Sequence, residues 1–98
     1  MQVLVLSPRK ELGAQSGKAL EVYGAGKDDG ANVDIWSYGG GAHQKWKIVS
    51  NGDGTLKFVA SNSNKILNVD GNGTANGTNV NIWLNSGSTG QKWKLIRR

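Results

Sequence analysis

The 98-residue chain sets twelve Lys and Arg against seven Asp and Glu, a formal charge of +5, and has fifteen glycines, four tryptophans, one proline and no cysteine. That length fits one domain, which buries roughly two thirds of the surface its unfolded chain exposes. Without cysteine there is no disulfide frame and no Cys-based zinc or redox site, and His43 alone builds no histidine metal cluster, so no cofactor is expected.

The lysines are scattered except in Gln-Lys-Trp-Lys, which occurs twice, and they give way to Arg97 and Arg98 at the end. Scatter indicates a solvated surface rather than the basic stripe of a nucleic-acid binder. Glycine, Asn, Ser and Thr punctuate short apolar runs, which predicts strands and tight turns and no helix.

In chain order the first strand is expected near Val3–Leu6. The opening MQVLVLSPRK lacks the basic start and the longer apolar core of a signal peptide, and no later stretch is long enough to span a membrane. The expectation is a soluble chain made in the cytoplasm without membrane insertion; release to act outside the cell, or origin as a module of a larger secreted protein, stays open. After a loop PRKELGAQ, strands follow near Ala19–Val22, Val33–Trp36 and Lys45–Val49. Asn-Gly-Asp-Gly between two apolar alternations then reads as a hairpin turn. The later strands fall near Leu56–Ala60, Ile66–Val69, Val80–Trp83 and Lys92–Ile96, separated by SNSN, DGNGTANGT and NSGSTG.

Sliding the chain on itself until Trp36 meets Trp83 also superposes Lys18 on Lys65, Leu20 on Leu67, Val22 on Val69, Gly30 on Gly77, Ile35 on Ile82, and Gln44 to Lys47 on Gln91 to Lys94, without a gap. This is an internal duplication, with one repeat over about residues 1–50 and the second over about 51–98, and it predicts an architecture of similar supersecondary units. Strand alternation gives the two tryptophans of each repeat separate duties. If Val33 and Ile35 face inward, Asp34 and Trp36 share the outer face, and Asn81 and Trp83 repeat that arrangement. Trp46 and Trp93 sit between solvent-facing lysines and turn inward, where each indole N–H needs a partner.

These residues resemble the ricin-B-type β-trefoil lectins and carbohydrate-binding modules. The Gln-x-Trp signature, Gln44-Lys45-Trp46 and Gln91-Lys92-Trp93, is preceded in both repeats by Leu-x-Val, a glycine-rich turn and an apolar-x-apolar-aromatic strand. The resemblance implies an all-β domain over residues 1–98 built from trefoil-type units. It also implies a shallow sugar pocket in each repeat, formed by a polar residue in Leu-x-Val, a polar residue and an aromatic platform on the third strand, and the segment entering Gln-x-Trp. Carried onto this chain, the first pocket takes Glu21, Asp34, Trp36, His43 and Gln44, and the second takes Asn68, Asn81, Trp83, Gly90 and Gln91. The chain departs from the family pattern in Glu21 and Asn68, where Asp is usual, and in His43 and Gly90, where Asn is usual.

The leading reading is a non-catalytic lectin for glycans, galactose-type or related sugars among them. The alternative is a trefoil protein-interaction or inhibitor module that makes contact through its loops. A catalytic reading finds no nucleophile, His and acid set, no phosphate loop and no convincing carboxylate pair. Carboxylates at Glu21 and Asp34 make the first pocket the expected stronger one. Two units are one short of a trefoil, so the inward faces around Leu20, Ile35, Trp46, Leu67, Ile82 and Trp93 would border water in a single chain, and a homo-oligomer that completes the barrel is expected.

Overall fold

The computed structural model describes residues 2–6 and 18–97. Its strands are β1 (Gln2–Leu6), β2 (Lys18–Val22), β3 (Val33–Ser37), β4 (Trp46–Ser50), β5 (Leu56–Ala60), β6 (Ile66–Val69), β7 (Val80–Trp83) and β8 (Trp93–Arg97). Sequence and structure agree to the residue for β5, β6 and β7, and to within one residue elsewhere. The expected loop PRKELGAQ lies outside the described residues. The helical content among them is four single turns of 3-10 helix, at Tyr23–Ala25, Ala42–Gln44, Asp70–Asn72 and Thr89–Gln91, which fall at equivalent places in the two repeats.

One sheet runs in the order β1, β8, β5, β6, β7, with β4 also on β5; β2 and β3 form a separate two-stranded sheet, and the two sheets do not close into a barrel. The repeats are joined by the β4–β5 hairpin, in register from Trp46 opposite Ala60 to Ser50 opposite Leu56. Its turn chemistry is local. The Asn51 N–H donates to the Thr55 carbonyl at 2.9 Å, and Asp53 Oδ1 accepts from the Thr55 N–H at 2.9 Å and from the Thr55 hydroxyl at 2.5 Å. Thr55, with Lys92 Nζ at 3.0 Å from the other Asp53 oxygen, holds this carboxyl well below the usual carboxylate range.

After β2 and after β6 the chain turns sharply through Gly24 (φ 61°) and Gly71 (φ 59°), a left-handed conformation in which a Cβ would be strained. That turn follows Leu-x-Val in both repeats and brings the next residues back over the sheet.

The buried core comprises Val22, Val33, Phe58, Ala60, Leu67, Val69, Ile82 and Trp93, with Leu20, Ala31, Trp46, Val80 and Leu95 partly buried against it. Both inward tryptophans find the partner their N–H requires: Trp46 Nε1 donates to the Leu20 carbonyl at 2.9 Å and Trp93 Nε1 to the Leu67 carbonyl at 3.1 Å. Of the two, Trp93 is buried and Trp46 only partly so, and the Trp93 ring stands edge-on to Phe58 at a centroid separation of 6.3 Å.

The repeats differ most at one pair of equivalent residues. Ile82 is 0% exposed and Ile35 is 62% exposed. In β3 only Val33 is buried, whereas in β7 both Asn81 and Ile82 are, so the inward place expected of the isoleucine is realised in β7 and not in β3, and Asn81, expected on the outer face beside Trp83, is covered. The cause is tertiary: the first repeat lies against Ile82, bonded to it through Gly30 and Ala31, and among the described residues no corresponding segment lies against Ile35.

Candidate functional site

Each repeat holds a shallow hollow in the same place. The first is lined by Glu21, Tyr23, Trp36, His43 and Gln44 together with the glycines around them. The second is lined by Asn68, Asp70, Asn72, Trp83, Ser86 and Ser88. The exposed indoles are Trp36 at 60% and Trp83 at 42%. Of the residues named from sequence, Glu21, Trp36, His43, Gln44, Asn68 and Trp83 line the hollows, whereas Asp34, Asn81, Gly90 and Gln91 sit beside or behind the walls.

The polar pair behind each platform is a cross-strand pair. Glu21 lies opposite Asp34 on β2 and β3, and Asn68 lies opposite Asn81 on β6 and β7. In the second repeat the amides complement each other. Asn68 Nδ2 donates to Asn81 Oδ1 at 2.9 Å, and Asn81 Nδ2 reaches Asp70 Oδ1 at 3.3 Å. The first repeat puts two acids in that geometry. Burial, then the hydrogen bond and the negative charge of Glu21, push the Asp34 carboxyl above its ordinary value, and Asp34 Oδ1 is buried without a hydrogen-bond partner. Glu21, itself 5% exposed, accepts from Gln44 Nε2 at 3.0 Å and has His43 Nε2 at 3.4 Å.

A carboxyl whose folded pKa is raised favours the folded state most at low pH, and that contribution is lost as pH rises from the usual carboxylate range through the raised value. Asp34→Asn supplies an amide donor to Glu21 and imitates the second repeat. It is expected to stabilise the chain by about 1 kcal/mol at pH 7 and to flatten the decline of stability with rising pH. Urea unfolding at pH 4 and pH 7 measures both, and a destabilised variant at pH 7 would contradict the acid-pair account.

The two glutamines of Gln-x-Trp work as clamps. Gln44 Oε1 accepts from the Gly39 and Gly40 N–H groups at 2.7 and 3.2 Å, while its Nε2 donates to the Ser37 carbonyl at 2.9 Å as well as to Glu21. Gln91 Oε1 accepts from the Ser86 N–H at 2.9 Å, and Nε2 donates to the Leu84 carbonyl at 2.8 Å. Both side chains are buried, and these bonds fix the loop behind each platform. Gly90 is small for a reason on the same wall: its N–H donates to Asn72 Oδ1 at 2.9 Å, and a Cβ there would meet that oxygen and lie 3.0 Å from the Val69 carbonyl.

Sequence reasoning missed Tyr23 and Asp70, which are equivalent residues directly after Leu-x-Val. The alignment of the repeats carried that signal, since the same turn that exposes one exposes the other. Asp70 gives the second hollow the carboxylate that its two strand positions lack. Asp29, in the turn before β3, accepts from Lys65 Nζ at 2.8 Å and from the Leu84 N–H at 3.1 Å.

Two repeated hollows, each with an exposed indole beside a cross-strand polar pair and a glutamine-clamped loop, sit at equivalent places in two β-trefoil-type units. The sequence profile described as ricin-type beta-trefoil lectin domain-like matches residues 12–83, and the chain belongs to that family. Among solved structures it is similar to a designed three-fold symmetric protein, ThreeFoil, at 47% identity and a TM-score of 0.78, covering 81% of this chain and 56% of that one. It is also similar to an exo-β-1,3-galactanase from Clostridium thermocellum (34%, TM-score 0.79, 84% of this chain and 18% of that one). The haemolytic lectin CEL-III matches at 33% and a TM-score of 0.67 over 85% of this chain and 19% of its own. The chain thus spans little more than half of the designed protein and under a fifth of the other two. No curated protein matches it in sequence.

Proposed function

We propose that the chain is a non-catalytic lectin that binds galactose-type sugars in one shallow hollow per repeat and gains strength from several hollows acting together. The observation that carries this reading is the duplicated placement of an exposed indole beside a polar pair, Trp36 with Glu21 and Asp34, and Trp83 with Asn68 and Asn81, in a chain of the ricin-type lectin family. An indole face packs on the C–H-rich face of a pyranose, while carboxylate and amide oxygens accept from its hydroxyls. The names of two structural neighbours, a lectin and an enzyme acting on β-1,3-galactan, support the sugar class. His43 and Glu21 sit 3.4 Å apart, and both belong to the wall of the hollow.

Open hollows of this kind hold a monosaccharide weakly, and linked hollows raise the apparent affinity on a glycan surface. Homo-oligomerisation would multiply them. Asp70 narrows the difference between the hollows that was read from sequence, because each has a carboxylate within reach of a bound sugar.

A glycan array with the purified chain tests the class of ligand, and an absence of glycan binding would leave the protein-interaction reading. Titration with galactose then tests the residues. Trp36→Ala and Trp83→Ala are each expected to weaken binding at their own hollow at least tenfold, about 1.4 kcal/mol, while unfolding free energy changes by less than about 1 kcal/mol. Full affinity at both hollows in the double variant would defeat the platform assignment.

A further inference from the structure

The contact made on Ile82 has an equivalent pair of surfaces that do not meet among the described residues. At the junction between the repeats, the Gly30 N–H donates to the Ile82 carbonyl at 2.8 Å and the Ile82 N–H to the Ala31 carbonyl at 3.0 Å, with Asn32 bridged to Asn81. Asp29 takes the Leu84 N–H, and Gly30 lies flat beside the platform, where a Cβ would be 3.6 Å from Trp83 Cζ3. The segment Asp29–Asn32 thus covers Ile82 and braces Trp83.

The duplication supplies both halves again. Asp29-Gly30-Ala31-Asn32 is equivalent to Asn76-Gly77-Thr78-Asn79, and Ile82-Trp83 to Ile35-Trp36. The second segment is already shaped for the task, since Gly77 has φ 84° against 91° for Gly30. Among the described residues it covers no equivalent site: Asn76, Gly77 and Asn79 are exposed, Asn79 Nδ2 donates to Asn32 Oδ1 at 2.6 Å, and a Cβ on Gly77 would meet nothing within 4 Å. At the other end Ile35 is 62% exposed and Trp36 beside it 60%, against 42% for Trp83.

We propose that Asn76–Asn79 of one copy of this chain docks on Ile35 of a second copy and braces Trp36, as Asp29–Asn32 does for Ile82 and Trp83. The occupant is a second copy because the internal junction already shows these two surfaces fitting each other, and every copy carries one of each. The contact is heterologous, one segment into one socket, rather than a patch meeting itself. Its consequence for the hollow rests on the sugar-platform reading of Trp36: the second hollow is complete in a single chain, whereas the first is completed by association.

Sedimentation equilibrium of the chain, Ile35→Glu, Gly77→Asp and their equimolar mixture tests the contact without any sugar. Ile35 is exposed and Gly77 opens on solvent, so both variants are expected to keep the far-UV signal of the parent chain; the Asp Cβ is strained at the positive φ of Gly77 and lowers the urea midpoint of that variant without unfolding it, and recovery of a dimer in the mixture shows that both chains remain folded. The parent is expected to exceed the mass of one chain at tens of micromolar. Each variant should sediment as one chain, and the mixture should form a dimer and nothing larger, because it retains one intact segment and one intact socket. A parent of single-chain mass, a variant that still associates, or a mixture that stays monomeric overturns the proposal. Galactose titration in a Trp83→Ala background then reads the hollow: affinity at Trp36 should rise with protein concentration and fall at least tenfold when Ile35→Glu is added. Failure of galactose to bind either hollow would count against the lectin reading and leave the sedimentation result to decide the contact.

Discussion

Replacing Trp93 by alanine is expected to cost about 3–5 kcal/mol of unfolding free energy, as for other buried aromatic-to-alanine changes. The side chain is 6% exposed, stands edge-on to Phe58, and carries an N–H bonded to the Leu67 carbonyl, so its removal leaves a cavity and an acceptor without its donor. A domain of this length holds roughly 5–15 kcal/mol in all. The variant should therefore unfold at a much lower urea concentration. Trp46→Ala, although the equivalent substitution, should cost about half as much, because Trp46 is only partly buried against the core. Equal urea midpoints for the two variants would show that the covered second repeat and the open first repeat are not energetically distinct.

Gln91→Ala is expected to destabilise the chain by about 2 kcal/mol. It removes two hydrogen bonds made by a side chain that is 2% exposed, and the Ser86 N–H and Leu84 carbonyl must then find water in a loosened loop. Binding at Trp83 should weaken as well, because Ser86 and Ser88 line that hollow. The distinguishing result is the order of effects: a clamp loses stability with or without sugar, while a group that serves only to contact ligand loses affinity and leaves the urea midpoint unchanged. Gln91→Glu is a useful second variant, since it keeps the acceptor for Ser86 and loses the donor to Leu84, and it should fall between alanine and the parent.

Strand positions were legible in the sequence because alternation and glycine punctuation act locally. Leu56–Ala60, Ile66–Val69 and Val80–Trp83 are flanked by turn residues; the structure ends the first two where those residues begin and the third one residue before them, with Leu84 between. The exposure of Ile35 was not legible in the same way. Its own strand has the pattern of an inward residue, and only the neighbouring unit determines whether anything covers it. The exposure of Trp36 and Trp83 could be read from alternation, but the clamping by Gln44 and Gln91 depends on loops whose path no periodicity describes. The Glu21 and Asp34 pair illustrates a middle case. Each residue was singled out, yet their mutual contact follows from the β2–β3 register, in which Val22 lies opposite Val33 and Leu20 opposite Ile35. The parallel pairing of β1 with β8 had no sequence signal, because nothing in Val3–Leu6 specifies the direction of its partner.

That parallel ladder has a kinetic side. Gln2 lies opposite Trp93 and Leu6 opposite Arg97, so the seam joins segments from the two extremes of the chain, while the β4–β5 ladder joins segments separated by a five-residue turn from Asn51 to Thr55. Loop-closure entropy grows by about 0.6 kcal/mol for each doubling of loop length, which handicaps the seam by roughly 2 kcal/mol relative to the hairpin. Non-local pairings of this kind form late. During refolding the hairpin is therefore zipped while β8 still offers an unpaired edge, and the interval before β1 arrives is when a foreign strand finds the chain most receptive.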